Sequence, residues 1–406
     1  MTCTALSPNE VVDAVAWRHH LHRHPELAYE ERQTAEFVAE RLAQFGLTVH
    51  RGLAGTGVVG TLRRGMSGRS IAIRADMDAL PIREQASTTH ASITAGRMHA
   101  CGHDGHVAIA LATARACACM PSLEGTVHFI FQPAEEGGAG ARRMIQEGLF
   151  ELFPCEAVYA LHNWPALPLG TCVALDGARM AANAVFEVMI LGRGCHGAMP
   201  HEGTDCILAG GHLLTALQSI VSRNINPVEA AVVSVTQIHA GDAHNVIPSS
   251  CVIRGTTRWF DDEIGKRLEC RITDLSKAVA AAFGCEAQIR YERRYPATIN
   301  DPAATRLVRA VASSAPVNLT LVDAEPSMGS EDFAFMLQAV PGCYLWLGAA
   351  RPTDNYGLHS PNYDFNDELI PYGVALWVSL VRTCLASTRD RMSSDETERD
   401  DHPQSC

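Results

Sequence analysis

Residues 98–106, MHACGHDGH, place three histidines, a cysteine and an aspartate among small residues. Thiolate sulfur and imidazole nitrogen suit borderline first-row metal ions, and glycine and alanine let a backbone bend around an ion. Alone, the motif also fits a histidine-rich helix cap. A second stretch, QPAEEG at 132–137, narrows the choice. Adjacent carboxylates repel unless a cation neutralises one, and neighbours on an extended segment point in different directions. One can then hold an ion while the other faces a substrate. A carboxylate base beside a cation that brings the pKa of its bound water to about 7 is the arrangement that makes hydroxide at neutral pH.

These groups need a scaffold that gathers them. Residues 9–46 carry apolar positions at helical spacing up to Gly46, and IAIRADMDALP (71–81) is a β-rich run closed by proline. Residues 104–120 read as a helix with Asp104 as its N-cap, followed by the strand GTVHFIFQP (125–133), a helix around 138–148 and the strand CEAVYALHNWP (155–165). The alternation predicts an α/β domain with a mostly parallel sheet covered by helices. Ligands in open α/β sheets gather beyond the carboxyl ends of the strands. Asp76 and Asp78, Glu135 and Glu136, and His162 fall at such ends, Cys101 and His103 open a helix, and His359 lies in GLHSP near the C-terminus. One pocket can take them all.

From about 183 the order becomes β-α-β-β-α-β, a complete split-βαβ unit and hence an inserted ferredoxin-like α+β domain. The strand GCYLWLG (342–348) then fits back into the first sheet. The expected domains are a discontinuous catalytic domain, 1–182 plus 296–388, an inserted lid or dimerisation domain, 183–295, and a polar tail, 389–406, with the composition of a disordered segment. A chain of 406 residues is long enough for two cores. Its 33 basic and 45 acidic residues leave a formal charge of −12, which argues against nucleic acid or anionic membrane as the main partner. No apolar run reaches the ~18 residues that span a bilayer. The first residues lack a basic stretch followed by an apolar one, so the expected location is cytoplasmic, with the 14 scattered cysteines mostly reduced.

Together the motifs resemble the metal-dependent amidohydrolase family of aminoacylases, hippurate hydrolase, plant auxin-conjugate hydrolases and carboxypeptidase G. The likeness runs over nearly the whole chain, through RHHLHRHPELAYEE, IRADMDALP, MHACGHDGH, FQPAEEG, ALHNWP, GCHGAMPH, HNVIP, GSEDFAF and LHSPNYDFND. The cysteine of ACGHDGH and the form RADMDALP point to its hippurate and auxin-conjugate branch. The resemblance implies that Cys101, His103, Glu136, His162 and His359 hold two divalent ions (Mn, Zn, Ni or Co), with Cys101 as a thiolate able to bridge them. It implies that Glu135 is the general base, that Asp78 orients neighbouring groups, and that His196 reaches an active site across a dimer interface to stabilise an oxyanion. Asn245 and Arg258 resemble substrate-contacting positions, an arginine fork suiting a substrate carboxylate.

The resemblance makes the substrate a small N-acyl amino acid and the assembly a homodimer or higher homo-oligomer. His99 and His106 match no ligand position and are expected to pack behind the site. The N-terminal HHLHRHPE tract is expected to be a structural helix end, and Glu331 and Asp332 to be supporting or capping groups. Cys195, Val107 and Ala184 stand where the family commonly has glycine, threonine and aspartate, which bears on substrate preference and domain closure rather than on ligands. The alternatives are a dipeptidase or carboxypeptidase of the same family and a catalytically silent metal-binding relative. A zinc nucleobase deaminase is disfavoured because no H-x-E followed by P-C-x-x-C occurs.

Overall fold

The structure is a computed structural model and describes residues 6–314 and 316–385. The segment expected to be a polar tail, 389–406, lies outside the described residues. The chain divides into two compact units, one made of 1–177, 299–325 and 335–406, the other of 178–298 and 326–334. The segment around GSEDFAF therefore joins the second unit up to Ala334.

The first unit is mixed α/β. Its eight strands run in the order Thr48–Leu53, Gly57–Arg64, Gly125–Gln132, Ser70–Asp76, Ala157–Trp164, Gly342–Gly348, Thr171–Val173, Thr320–Leu321. The central four are mutually parallel and the edges bring in antiparallel pairs. Those central strands are almost continuously apolar and buried, as strands covered on both faces must be. The chain leaves Ser70–Asp76 for the neighbour on one side, Gly125–Gln132, then crosses to the neighbour on the other, Ala157–Trp164. Such a reversal opens a crevice at the carboxyl ends, where Asp76, Glu135 and His162 are found.

The N-terminal apolar period is realised as two helices, Pro8–Arg23 and Arg32–Gln44. Pro25 explains the break, because it has no N–H to continue the helix and biases His24 away from helical angles. Helix His103–Ala118 is apolar on all sides and buried nearly throughout, wedged against the sheet and the first helix. Its cap differs from expectation. Gly102, at φ 91°, is the N-cap, and Asp104 lies inside the first turn. Asp104 is drawn inward because its carboxylate faces Arg18 Nε at 2.9 Å and His22 Nδ1 at 2.8 Å. The chain must then turn at residue 102 itself, where any Cβ would lie 2.3 Å from Asn163 Oδ1, so only glycine fits.

The second unit has a four-stranded antiparallel sheet ordered Ala231–His239, Ser250–Trp259, Ala182–Leu191, Glu286–Arg293. With helices Cys206–Asn224 and Asp262–Ala282, both opened by aspartate N-caps, this is the split-βαβ arrangement. Strand Ala182–Leu191 alternates buried and half-buried residues, the signature of one face packed on helices. Its core of Phe186, Val188, Ile190, Leu213, Leu217, Ile253 and Leu268 is separate from that of the first unit.

Candidate metal centre

Beyond the strand ends of the first unit, donor atoms converge in overlapping groups. Cys101, His103 and His162 lie with their ligand atoms within 4.8 Å of one another, as do Cys101, Glu136 and His359, and His103, Glu135 and Glu136. All five expected ligands and the expected base are thus brought together, from four segments that are far apart in the chain. Cys101 belongs to both ligand triplets.

Backbone contacts aim each donor. His103 Nδ1 donates to the carbonyl oxygen of Asp78 at 2.8 Å, which leaves Nε2, buried and without a protein hydrogen bond, as the lone-pair nitrogen. His162 Nδ1 donates to the Asn163 carbonyl at 2.8 Å, and its Nε2 stands 3.5 Å from Cys101 Sγ. His359 Nε2 is 3.0 Å from Glu136 Oε1. His359 is held at φ 64°, a left-handed angle that side chains rarely adopt, with its N–H bonded to Ala100 O at 2.7 Å. Ala134 and Ala139, flanking the glutamate pair, share that conformation at φ 54° and 56°. Such residues cluster where a loop is held to a purpose by its surroundings.

Asp78, expected to orient neighbouring groups, is fully buried. Its two carboxylate oxygens accept the backbone N–H groups of Glu135 at 3.0 Å and Glu136 at 2.9 Å. Glu31 accepts the preceding N–H, of Ala134, at 2.8 Å and the Thr56 hydroxyl at 2.7 Å. Three consecutive peptide groups are therefore clasped by two buried carboxyls. Burial pushes Glu31 up to about 7, the Thr56 hydrogen bond working the other way.

The charge balance of the pocket calls for cations. Burial alone would favour neutral His103, yet Asp76, Asp78 and Glu136 outweigh it and raise the imidazole to about 10. Burial first, then Glu136 and Glu135, push the Cys101 thiol well above its ordinary range. Both shifts report the same unbalanced negative field, which divalent ions would neutralise while holding sulfur as thiolate and imidazole as a free base. The donor set, with its buried unpaired Nε2, fits divalent ions. The neighbouring group Asp76, His103 and His106 does not form a further site, because Asp76 already binds Arg74 Nη1 at 2.7 Å and His106 Nδ1 at 2.6 Å.

His106 bridges Asp76 and Asn163 Oδ1, the latter at 2.7 Å, so it packs behind the donors as expected. His99 also packs there. Neither of its nitrogens has a protein partner, and burial lowers it to about 4, keeping it neutral. Two supporting residues escaped sequence reasoning, Asn163 and Tyr363, joined by Asn163 Nδ2 donating to Tyr363 Oη at 2.6 Å. Both sit inside motifs read for their histidines, ALHNWP and LHSPNYDFND, which was the available signal.

In the second unit, His196 is exposed on the two-residue strand Cys195–His196, paired with Val246–Ile247. Ala198 N–H donates to His196 Nδ1 at 3.0 Å, which leaves Nε2 as the nitrogen that carries the proton of a neutral ring. Asn245 adjoins it, its carbonyl accepting Gly197 N–H at 2.7 Å. Arg258 is not brought to this pair. It lies opposite Asn183, which is eight residues, about 27 Å, along the strand from Leu191, with its guanidinium on Thr256 and Thr257. Glu331 accepts Phe333 N–H at 2.9 Å.

A parallel-centred α/β sheet with a thiol, imidazole and carboxylate cluster at its switch point is a candidate metal site. The chain belongs to the peptidase family M20/M25/M40, which it matches over residues 72–383. It is 40% identical over 354 residues to the N-acetyl-L-cysteine deacetylase of Bacillus subtilis (strain 168), covering 87% of this chain and 83% of that protein. It is 38% identical over 365 residues to the hippurate hydrolase of Campylobacter jejuni, covering 89% and 94%. Among solved structures, a dinuclear metal-binding peptidase of the M20 family from Bacillus subtilis superposes with a TM-score of 0.82 at 32% identity, covering 93% of this chain and 99% of that one. Among the described residues no helix is long and apolar enough to cross a membrane.

Proposed function

We propose that this protein hydrolyses the amide bond of N-acyl amino acids at a dinuclear metal centre, releasing a carboxylic acid and a free amino acid. The observation that carries the reading is the pair of ligand triplets sharing Cys101, with Glu135 beside them. Cys101, His103, His162, Glu136 and His359 would hold the ions, five side chains for two ions leaving positions open. When bound, such ions polarise a carbonyl and make water acidic enough to ionise near neutral pH.

The protein's own groups do the rest. Glu135, aimed by the Asp78 clasp, takes a proton from the attacking water on a carboxylate oxygen and returns it to the amide nitrogen as the C–N bond breaks. His196, with its proton on Nε2, is a neutral donor suited to a developing oxyanion. An Arg258 guanidinium would pair with the substrate carboxylate. Within one copy, Arg258 pairs with Asn183 near the start of strand Ala182–Leu191, whereas His196 lies in a separate two-stranded sheet that the chain enters only after that strand has ended. A homodimer whose smaller units serve each other's sites would let both act.

The test is chelated enzyme reconstituted in turn with Mn, Zn, Ni and Co and assayed on hippurate, N-acetyl amino acids and dipeptides. Metal-dependent release of free amino acid from the N-acyl substrates is expected. Cleavage of dipeptides alone would make the protein a peptidase of the same family, and no cleavage with any ion would overturn the assignment.

A further inference from the structure

The N-terminal tract RHHLHRHP, expected to be a structural helix end, supplies none of the donors of the candidate centre. Its Arg18 is completely buried, and a buried guanidinium needs an account of its partners. Nε lies 2.9 Å from Asp104 Oδ2, Nη2 binds Asp364 Oδ1, and Nη1 reaches His90 Nε2 at 2.7 Å and Asp367 Oδ1 at 3.6 Å. The two nearest carboxylates occupy informative positions. Asp104 follows His103 directly, in the helix turn that begins just after Cys101. Asp364 lies five residues beyond His359, in the same loop. One guanidinium therefore ties together two of the segments that supply candidate ligands, and neither of its anions is itself a ligand.

The tie is reinforced on both sides. Asp104 also takes His22 Nδ1 at 2.8 Å, and His22 Nε2 reaches Glu84 at 3.1 Å. Asp364 also takes Arg351 Nη1 at 2.6 Å, and His90 Nε2, which accepts from Arg18 Nη1, packs 2.9 Å from it. Between His359 and Asp364, Tyr363 Oη accepts from Asn163, the neighbour of His162.

We propose that Arg18 is a positioning residue that fixes the spacing between the Cys101–His103 segment and the His359 loop, and so builds the ion position that draws on both. The inference rests on the dinuclear reading above. It makes a selective statement. The triplet Cys101, His103 and His162 stays intact when the clamp is loosened, because its histidines are aimed by the carbonyls of Asp78 and Asn163. The triplet Cys101, Glu136 and His359 depends on the loop that Asp364 anchors. A planar fork is required to reach two carboxylates at once, and lysine, a point charge, cannot replace it.

The experiment is a metal titration of the folded, chelated full chain, wild type against Arg18→Lys, with Mn or Zn read by bound-ion content and by competition with a chromophoric chelator. Far-UV circular dichroism and thermal unfolding are recorded on the same samples. Arg18→Lys is expected to retain one ion per chain at wild-type affinity and to bind the second at least about 10-fold more weakly, the range found for residues that orient metal ligands. If Arg18→Lys does not fold, Asp364→Asn, which loosens the loop from the other end, must show the same split. Equal weakening of both ions, or lowered thermal stability with both affinities unchanged, would reduce Arg18 to a structural role and overturn the proposal. A wild-type chain that binds no ion, or whose His359→Ala variant binds two normally, would overturn the dinuclear reading itself, and so the two failures are told apart.

Discussion

Asp78→Asn tests how the paired glutamates are aimed. The side chain keeps its size but loses one acceptor and gains a donor. In the protein both carboxylate oxygens accept peptide N–H groups, from Glu135 at 3.0 Å and Glu136 at 2.9 Å. An asparagine oxygen satisfies one of them, and its amide NH2 then confronts the other, donor against donor. A hydrogen bond to a charged group contributes about 1.5–3 kcal/mol, and a buried N–H left without a partner costs about 1–3 kcal/mol. The combined loss is about 3–5 kcal/mol, and the loop escapes part of it by moving. A displacement of the base by about 1 Å costs on the order of 100-fold in rate. His103 keeps its partner, because that bond goes to the main-chain carbonyl of residue 78. The expected result is weaker binding of the ion that draws on Glu136, a lowered urea midpoint, and kcat on an N-acyl amino acid reduced about 100-fold at saturating ion. Turnover within twofold of wild type together with an unchanged midpoint would refute the reasoning.

Gly102→Ala forces a Cβ to within 2.3 Å of Asn163 Oδ1 at a residue held at φ 91°, so a loss of at least about 3 kcal/mol by chemical denaturation is expected, with ion content falling too. Burial draws His128 down to about 4, against about 6.5 in an unfolded chain, so the unfolded state takes up the proton first as pH falls. Stability is complete above about pH 6.5 and declines towards pH 4, His128 contributing up to about 3 kcal/mol, and His128→Phe should flatten that slope in urea melts recorded across the window. Co-expressing inactive His196→Ala and Glu135→Gln chains should restore about a quarter of wild-type activity, one working site in each mixed dimer, if His196 acts across an interface. Activity no higher than that of either single variant would place His196 elsewhere.

The legible part of this protein is the part written in residue type. Strong donors confined to a few motifs, and the placement of Asp76, Glu135 and His162 after apolar strands, pointed to one crevice. Helix and strand periods marked the split-βαβ order of the second unit and the return of Gly342–Gly348 to the first sheet. Asp104 was misread because a side chain that caps a helix and one that turns inward to Arg18 look alike in sequence, and only the packing of residues 18 and 364 around it decides. The left-handed angles at Ala134 and His359 were equally invisible, since no glycine announces them and tertiary hydrogen bonds impose them. Arg258 matched a motif, yet nothing in its sequence could say that it pairs with Asn183, about 27 Å along the strand from Leu191, the end from which the chain runs on to His196.

The most direct test of the central claim is bound-ion content and turnover measured on the same preparations of wild type, Cys101→Ala and Glu135→Gln. Two ions per chain in wild type and in Glu135→Gln are expected, with nearly all turnover gone from the latter, and ions lost from Cys101→Ala. Two tightly held ions in Cys101→Ala, or normal turnover in Glu135→Gln, would contradict a centre built on a shared sulfur and a glutamate base.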